Sequence, residues 1–132
     1  MISAGLSPYA QALGIVMATD ETGDPVLHFD ASERVQGRPG FLHGGAMSGL
    51  MEMAAIAALQ AELARRGEPM KLKPVNVTVE FMRGGTEQRT FAKGTVTRAG
   101  RRVALVNVAC WQDDLAKPIA LAQLKVLLSA AE

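Results

Sequence analysis

A long apolar segment without proline constrains the fold of this chain more than any other feature. Residues 45–66 are rich in Ala, Met, Leu and Glu and end in two arginines, which suit the negative end of a helix. The pattern predicts a helix over residues 45–66. Within residues 46–59 only Ser48 and Glu52 carry polar side-chain groups, so we expect this helix to be buried on most of its faces.

The rest of the sequence predicts strands that wrap this helix. Apolar and polar residues alternate with a period of two over residues 75–82, the clearest strand signal in the chain. A capped short helix is predicted after Ser7, and the other predicted elements are strands at 14–19, 25–30, 91–98, 102–111 and 119–128 and a loop at 32–42. One buried helix with hairpin-linked strands predicts the α+β class, with an antiparallel sheet curled around the helix.

Length, charge and composition limit the possible functions. A chain of 132 residues suits a single domain over residues 1–132, and a net charge of +1 gives no basic field for nucleic acid. The N-terminus lacks a signal peptide, and the most apolar window is shorter than a membrane span of roughly 20 residues. We therefore expect a cytoplasmic protein without membrane or nucleic-acid partners, metal or cofactor. The lone Cys110, between apolar neighbours, is predicted to be a buried structural thiol.

The start of the long helix carries the residues most suited to chemistry. Gly44 and Gly45 let a ligand carbonyl approach the backbone, and the first helical turn presents unpaired N–H groups that suit a developing oxyanion. Glu52 follows about two turns later without a cation one helical turn away. A carboxylate withdrawn from water is costly and typical of functional sites. The alternative is an Arg from a strand or a second subunit that neutralises it.

These residues resemble the signature of the hot-dog-fold acyl-CoA thioesterases, both the phenylacetate-degradation and the 4-hydroxybenzoyl-CoA groups. In that signature His-Gly-Gly opens the long helix and an acid follows nine residues after the His, as His43 and Glu52 do, before a Val-x-Val-x-Phe strand. The resemblance implies a hot-dog fold with acyl-CoA as substrate. The Gly44 N–H would polarise the thioester carbonyl, and Glu52 would attack it or activate water. It also implies a homodimer or dimer of dimers with the site between subunits.

The resemblance also suggests residues around the acid. His43 would contact substrate through its imidazole or hold the turn before the helix. Where the family has Asn or Gln six residues before the His, this chain has Gly37, and the adjacent Gln36 is the candidate replacement. The 4-hydroxybenzoyl-CoA group has Thr one turn after the acid; here that residue is Ile56, so Ser48 is the candidate that holds water. Gly45 is also assigned to substrate binding, and the predicted pocket residues are apolar: Met47, Met51, Phe81 and Met82.

Arginines follow two of the predicted strands. Arg83 ends the 75–82 strand, and Arg101 and Arg102 lie with Arg98 around the Gly100 turn. The guanidinium fork suits the phosphates of CoA. The alternative is that the Gly100 turn is a solvated hairpin tip with ordinary surface charge.

Two other functions fit parts of the sequence. A hot-dog dehydratase of 3-hydroxyacyl thioesters is suggested by the His28-Phe29 pair, but His28 lies 24 residues before Glu52 and has no motif around it. A non-catalytic acyl-CoA sensor is suggested by Gly37 and Ile56, which replace the family's polar residues. Fold resemblance alone does not separate an enzyme from such a binding protein.

Overall fold

The computed structural model describes residues 6–131 as one long helix packed against a curved, unclosed sheet. Six antiparallel strands form this sheet in the order β1-β2-β4-β5-β6-β3. Along the chain the elements are α1 (Pro8–Ala12), β1 (Val16–Thr19), β2 (Pro25–Phe29), a 3₁₀ turn (Glu33–Val35), α2 (Gly44–Arg65), β3 (Met70–Phe81), β4 (Thr90–Ala99), β5 (Val103–Trp111) and β6 (Ala120–Ala130). The predicted α+β hot-dog architecture is confirmed.

The ends of α2 follow from local hydrogen bonding. The helix begins at Gly44, one residue before the predicted start, because His43 takes the N-cap position. At the other end the Gly67 N–H donates to the Ala64 carbonyl and the Glu68 N–H donates to the Leu63 carbonyl. This pattern is a Schellman motif, which needs the left-handed φ of 67° that Gly67 adopts.

A glycine in the sheet lets α2 lie close to β4. A side chain at Gly94 would place its Cβ 3.0 Å from the Ala54 carbonyl oxygen and 3.0 Å from the Ala58 Cβ. The helix therefore contacts the strand backbone at small residues, while Leu50 and Met51, earlier on the helix, are fully buried. Burying each such large side chain contributes about 1.5–3 kcal/mol to folding.

The two edges of the sheet differ in length. β1 is an edge of four residues, whereas β3 is an edge of 12 residues that pairs with β6 on one side. The alternation over residues 75–82 correctly predicts this strand, yet Val75, Val77 and Phe81 are 55%, 39% and 54% exposed. A long edge with exposed apolar side chains offers its free backbone groups to another strand.

Burial departs from the sequence prediction on one face of α2. Ser48, Glu52 and Ile56, one turn apart, are only half-buried, so this face is partly open in the single chain, whereas most of residues 46–59 are buried as predicted. The sheet covers one side of α2, and α1 covers Gly49, where Tyr9 and Leu13 contact the helix. Cys110 is fully buried as predicted. None of the helices within residues 6–131 is long and apolar enough to cross a membrane.

Candidate active site

A tight turn fixes the chain before α2. The Phe41 N–H donates to the Arg38 carbonyl at 3.0 Å, and Gly40 between them has a φ of 86°, which an L side chain rarely adopts. The Gly37 N–H then donates to the Phe41 carbonyl at 2.9 Å, and the His43 N–H to the Val35 carbonyl at 2.8 Å. These bonds hold the segment that presents the first turn of α2.

The first turn of α2 has one N–H group without a partner among residues 6–131. Nδ1 of His43 accepts a hydrogen bond from the Gly45 N–H at 2.8 Å, and the His43 carbonyl accepts from the N–H groups of Ala46 and Met47 at 3.0 and 3.2 Å. The Gly44 N–H alone is uncommitted there. It lies at the positive end of a 22-residue helix, so it suits a carbonyl oxygen that gains negative charge.

The two glycines make room for side chains of the protein. A Cβ at Gly45 would lie 2.9 Å from Cε1 and Nδ1 of His43, so only glycine leaves space for the capping imidazole. A Cβ at Gly44 would lie 3.3 Å from the ring of Phe81, at the end of β3. Since Nδ1 is an acceptor here, the neutral His43 ring carries its proton on Nε2. The structure thus supports a turn-holding role for His43.

Glu52 lies on the part of α2 that the sheet leaves uncovered. Its side chain is half-buried and makes no hydrogen bond or ion pair with any residue of the 6–131 range. The carboxylate is therefore only partly withdrawn from water in the single chain, and no strand arginine within that range neutralises it. Ser48 precedes it by one turn and is also half-buried, while Ile56 follows by one turn.

Distance along the helix separates Glu52 from Gly44. The two positions are eight residues apart in the sequence, a rise of about 12 Å along the helix axis. A glutamate side chain spans only part of that distance, even though helical side chains lean toward the N-terminus. A carbonyl bound at the Gly44 N–H of one chain is therefore beyond the reach of Glu52 of the same chain.

A cleft of about 370 Å³ opens beside the start of α2. It brings together three of the predicted site residues, Gly44, Phe81 and Arg83. Met47 and Met82 also line it as predicted, whereas Met51 is fully buried in the core and takes no part. The remaining lining residues are Arg38, Phe41, Leu42, Gly84 and Gly85. The volume matches small-molecule pockets in proteins.

Gln36 is turned away from the position that the resemblance assigns to an amide. Its side-chain amide donates to the Glu87 carboxylate at 2.9 Å. A Cβ at Gly37 would lie 3.1 Å from the Cα of His43, so position 37 does lie against the His43 backbone but has no side chain to offer. The structure therefore gives Gln36 a partner outside the cleft.

Arg101 and Arg102 lie near the opposite end of α2. The Arg66 guanidinium, at the C-terminal cap of α2, donates to the Ala99 carbonyl beside the β4–β5 turn at 3.3 Å. Because α2 has 22 residues, this turn is roughly 33 Å along the helix from Gly44. Arg101 lines a different cleft of about 470 Å³, together with Arg98 and Lys125. One chain does not bring these arginines together with Gly44.

Two further residues complete the description of the site. His28 lies on the face of the sheet opposite α2, because its neighbours Leu27 and Phe29 are buried toward the helix. Burial lowers the pKa of His28, and its ring contacts Phe91. Because the sheet separates His28 from α2, its side chain cannot meet Glu52 of the same chain. Arg38, which the sequence interpretation missed, stacks on Phe41 with its guanidinium carbon 4.3 Å from the ring centre. The sequence Arg-Pro-Gly-Phe, which is typical of a turn, is the feature from which Arg38 could have been identified.

The fold is shared with several solved structures. A protein of Chromobacterium violaceum is 35% identical, with 98% of this chain and 88% of that chain aligned and a TM-score of 0.73. A Bacillus halodurans protein whose crystal structure contains CoA is 14% identical, with 98% and 83% aligned and a TM-score of 0.80. A mutant of the phenylacetic acid degradation protein PaaI from Thermus thermophilus is 23% identical, with 92% and 98% aligned and a TM-score of 0.75.

The sequence comparisons define the family. Among curated proteins no sequence matches this chain. Residues 34–126, which include the His-Gly-Gly turn, Glu52 and β3, match the family described as the acyl-CoA thioesterase N-terminal domain. This match spans well over half of the chain, and the hot-dog fold agrees with it. The chain therefore belongs to the acyl-CoA thioesterase family.

Proposed function

We propose that this protein hydrolyses an acyl-CoA thioester to a free acid and CoA. The Gly44 N–H polarises the thioester carbonyl, and Glu52 either attacks the carbonyl carbon or removes a proton from the attacking water. In both routes the C–S bond breaks, the thiolate of CoA leaves and water supplies the new oxygen. The single observation that carries the proposal is the uncommitted N–H of Gly44 in a first helical turn whose other N–H groups are engaged.

The active site is shared between two copies of the chain. Gly44 and Glu52 of one chain are too far apart for one carbonyl, whereas a two-fold axis perpendicular to β3 at its free edge makes both the two β3 strands and the two α2 helices antiparallel. The Glu52 of one subunit then approaches the Gly44 of the other. The exposed β3 valines, the free β3 edge and the half-covered Glu52 face of α2 support this homodimer, alone or within a dimer of dimers.

The phosphates of CoA contact arginine side chains. Arg83 lies at the same cleft as Gly44 and is the candidate contact within one chain. Arg101 and Arg102 contribute only from another subunit, because their turn lies near the far end of α2. Ser48, one turn before Glu52, is the candidate that orients water, and Phe81 packs against the substrate beside Gly44. The chain acts as one cytoplasmic domain over residues 1–132.

The first experiment measures thiol release from short, long, branched and aromatic acyl-CoAs. We expect release with at least one class, and Glu52→Gln is expected to lower kcat at least 100-fold, an order-of-magnitude estimate for an essential base or nucleophile. The variant should still bind CoA and melt like the parent protein. A stable Glu52→Gln variant with near-parent turnover would contradict the catalytic role.

Subunit mixing tests the shared site. Gly44→Pro removes the N–H and suits the first helical position, while Gly44→Ala adds a comparable Cβ but keeps the N–H. Dimers formed from Gly44→Pro chains and Glu52→Gln chains contain one site with both changes and one intact site. We expect such mixtures to regain activity although each variant alone is inactive. Absence of recovery in verified mixed dimers would place both groups in one chain.

The sensor function is the second candidate, because Gly37 and Ile56 supply no polar side chain near His43 and Glu52. Tight acyl-CoA binding without thiol release from any substrate would favour it. A dehydratase is distinguished by hydration of an enoyl thioester without thiol release. The placement of His28 on the sheet face opposite α2 gives that activity no support from the same chain.

A further inference from the structure

We propose that Arg38 and Arg83 form an anion clamp at the mouth of the Gly44 cleft and select substrates by an oxyanion group, a phosphate of CoA or a carboxylate on the acyl chain. Both arginines line this cleft, and both are exposed. The proposal rests on the proposed thioester hydrolysis, which it deepens by adding Arg38 and a substrate class. The name anion clamp refers below to these two side chains.

The clamp is built by the turn before α2. The Arg38–Phe41 turn is closed by the Phe41 N–H to Arg38 carbonyl bond, and the Arg38 guanidinium lies over the Phe41 ring at 4.3 Å. A Cβ at Gly84 would lie 3.2 Å from the same ring, so Phe41 packs directly on the residue that follows Arg83. One aromatic ring therefore supports Arg38 on one side and the backbone next to Arg83 on another. Stacking on an aromatic ring restricts the long Arg38 side chain.

Neither guanidinium has an acidic partner in the part of the chain that the structure describes. Arg65, Arg66 and Arg89 each pair with a carboxylate at 2.6–3.0 Å. Arg38 and Arg83 have no such ion pair among residues 6–131. Two unpaired cations at one cleft favour an anion there, and each guanidinium fork is able to donate paired hydrogen bonds to its oxygens.

The other residues that line the cleft indicate which further chemical groups the ligand has. Phe41, Leu42, Met47, Phe81 and Met82 line it with apolar surface, and the Gly44 backbone forms part of its wall. An anionic group at the mouth, an apolar stretch and a carbonyl at Gly44 describe an acyl thioester with a charged group at one end. A carboxylate at the far end of the acyl chain and a phosphate of CoA both meet this description.

A four-substrate comparison tests the clamp and identifies the anion. An acyl chain ending in either a methyl group or a carboxylate is joined to either CoA or N-acetylcysteamine, which lacks phosphates. Arg38→Met with Arg83→Met keeps side-chain length and removes both charges. We expect KM to rise about tenfold for substrates with the recognised anion, and to change little for the methyl-ended cysteamine thioester. A rise with both CoA substrates identifies phosphate, and a rise with both carboxylated substrates identifies the acyl carboxylate.

Arg34→Met is the matched control, because Arg34 is exposed in the same segment and donates to the Ala12 carbonyl at 3.4 Å. An equal change in KM for all four substrates, or no change beyond that of the control, overturns the clamp. Calorimetric binding of CoA and of free adipate to the Glu52→Gln protein tests it without turnover. Loss of binding of either probe in the double arginine variant supports the clamp even if no thioester is hydrolysed, and unchanged binding of both overturns it.

Discussion

The two ends of α2 differ in whether their charged and polar groups have partners within the described part of the chain. At the C-terminal end Glu62 pairs with Arg65 at 2.8 Å and with Arg66 at 3.0 Å, and Lys93 pairs with Asp20 at 2.5 Å. At the N-terminal end the Gly44 N–H, the Glu52 carboxylate and the two arginines of the anion clamp lack such partners within residues 6–131. Groups that are satisfied by the chain itself stabilise the fold, whereas groups left unsatisfied are available to a ligand or a second subunit.

The ion pairs at the C-terminal end of α2 also shift the pKa values of their carboxylates. Hydrogen bonds from Arg65 and then Arg66 lower the pKa of Glu62, and the hydrogen bond from Lys93 is the main reason that the pKa of Asp20 lies well below its ordinary value of 3.8. These ion pairs join α2, the β1–β2 turn and β4, since Asp24 also lies 3.5 Å from Arg65. The C-terminal end is therefore a structural contact between three elements.

The largest effect is expected from a comparison of two variants, one with a substitution at each end of α2. Gly44→Pro should lower kcat by about 100-fold or more, as losing an oxyanion donor does in other enzymes, with little change in melting temperature. Glu62→Gln should leave kcat unchanged and slightly lower the melting temperature, because it weakens bonds to two arginines. Kinetics and thermal melting of both variants, with Gly44→Ala as control, check the contrast. A similar loss of kcat in Gly44→Ala would mean that steric contact with Phe81, and not the N–H, matters.

A smaller effect separates the two roles of His43. His43→Ala removes the acceptor for the Gly45 N–H and should destabilise the protein by about 1 kcal/mol, the usual cost of losing an N-cap. His43→Asn keeps a capping oxygen, so we expect it to regain most of the stability and of the turnover. Urea unfolding and kcat are measured on both variants. Recovered stability without recovered turnover would instead assign a substrate contact to the imidazole.

A third effect depends on pH at the C-terminal end. Because the pKa of Asp20 is lower in the folded protein, its pairing with Lys93 stabilises the fold above pH 3.8 and is lost as the pH falls through the lowered pKa. Asp20→Asn should therefore lower the melting temperature slightly at pH 7, and the difference from the parent should shrink below pH 3.8. Melting curves from pH 7 to pH 2 check this. A difference that is constant with pH would mean that ionisation of Asp20 does not contribute to stability.

The sequence predicted features that depend on local pattern. The start and end of α2, each predicted to within one residue, and the β3 alternation follow from neighbouring residues. The pairing of Lys93 with Asp20 joins residues 73 positions apart, which requires the strand order β1-β2-β4 to be known. Similarly, the distance between the Arg101 turn and Gly44 depends on which end of α2 the β4–β5 hairpin meets. The exposure of Glu52 depends on which helix face the sheet leaves open.

The smallest expected effect concerns Cys110, which belongs to neither end of α2. Burial raises the pKa of this thiol to about 12, so at pH 8 it is protonated as well as inaccessible. We expect excess iodoacetamide at pH 8 to leave the folded protein unmodified by mass and fully active, while the protein unfolded in urea takes up one carbamidomethyl group at its only cysteine. The unfolded sample is the control for reagent quality. Rapid modification of the folded protein together with lost turnover would show that the β4–β5–β6 core opens, or that a thiol takes part in the reaction. In the second case the assignment of catalysis to a carboxylate at the open face of α2 would be wrong.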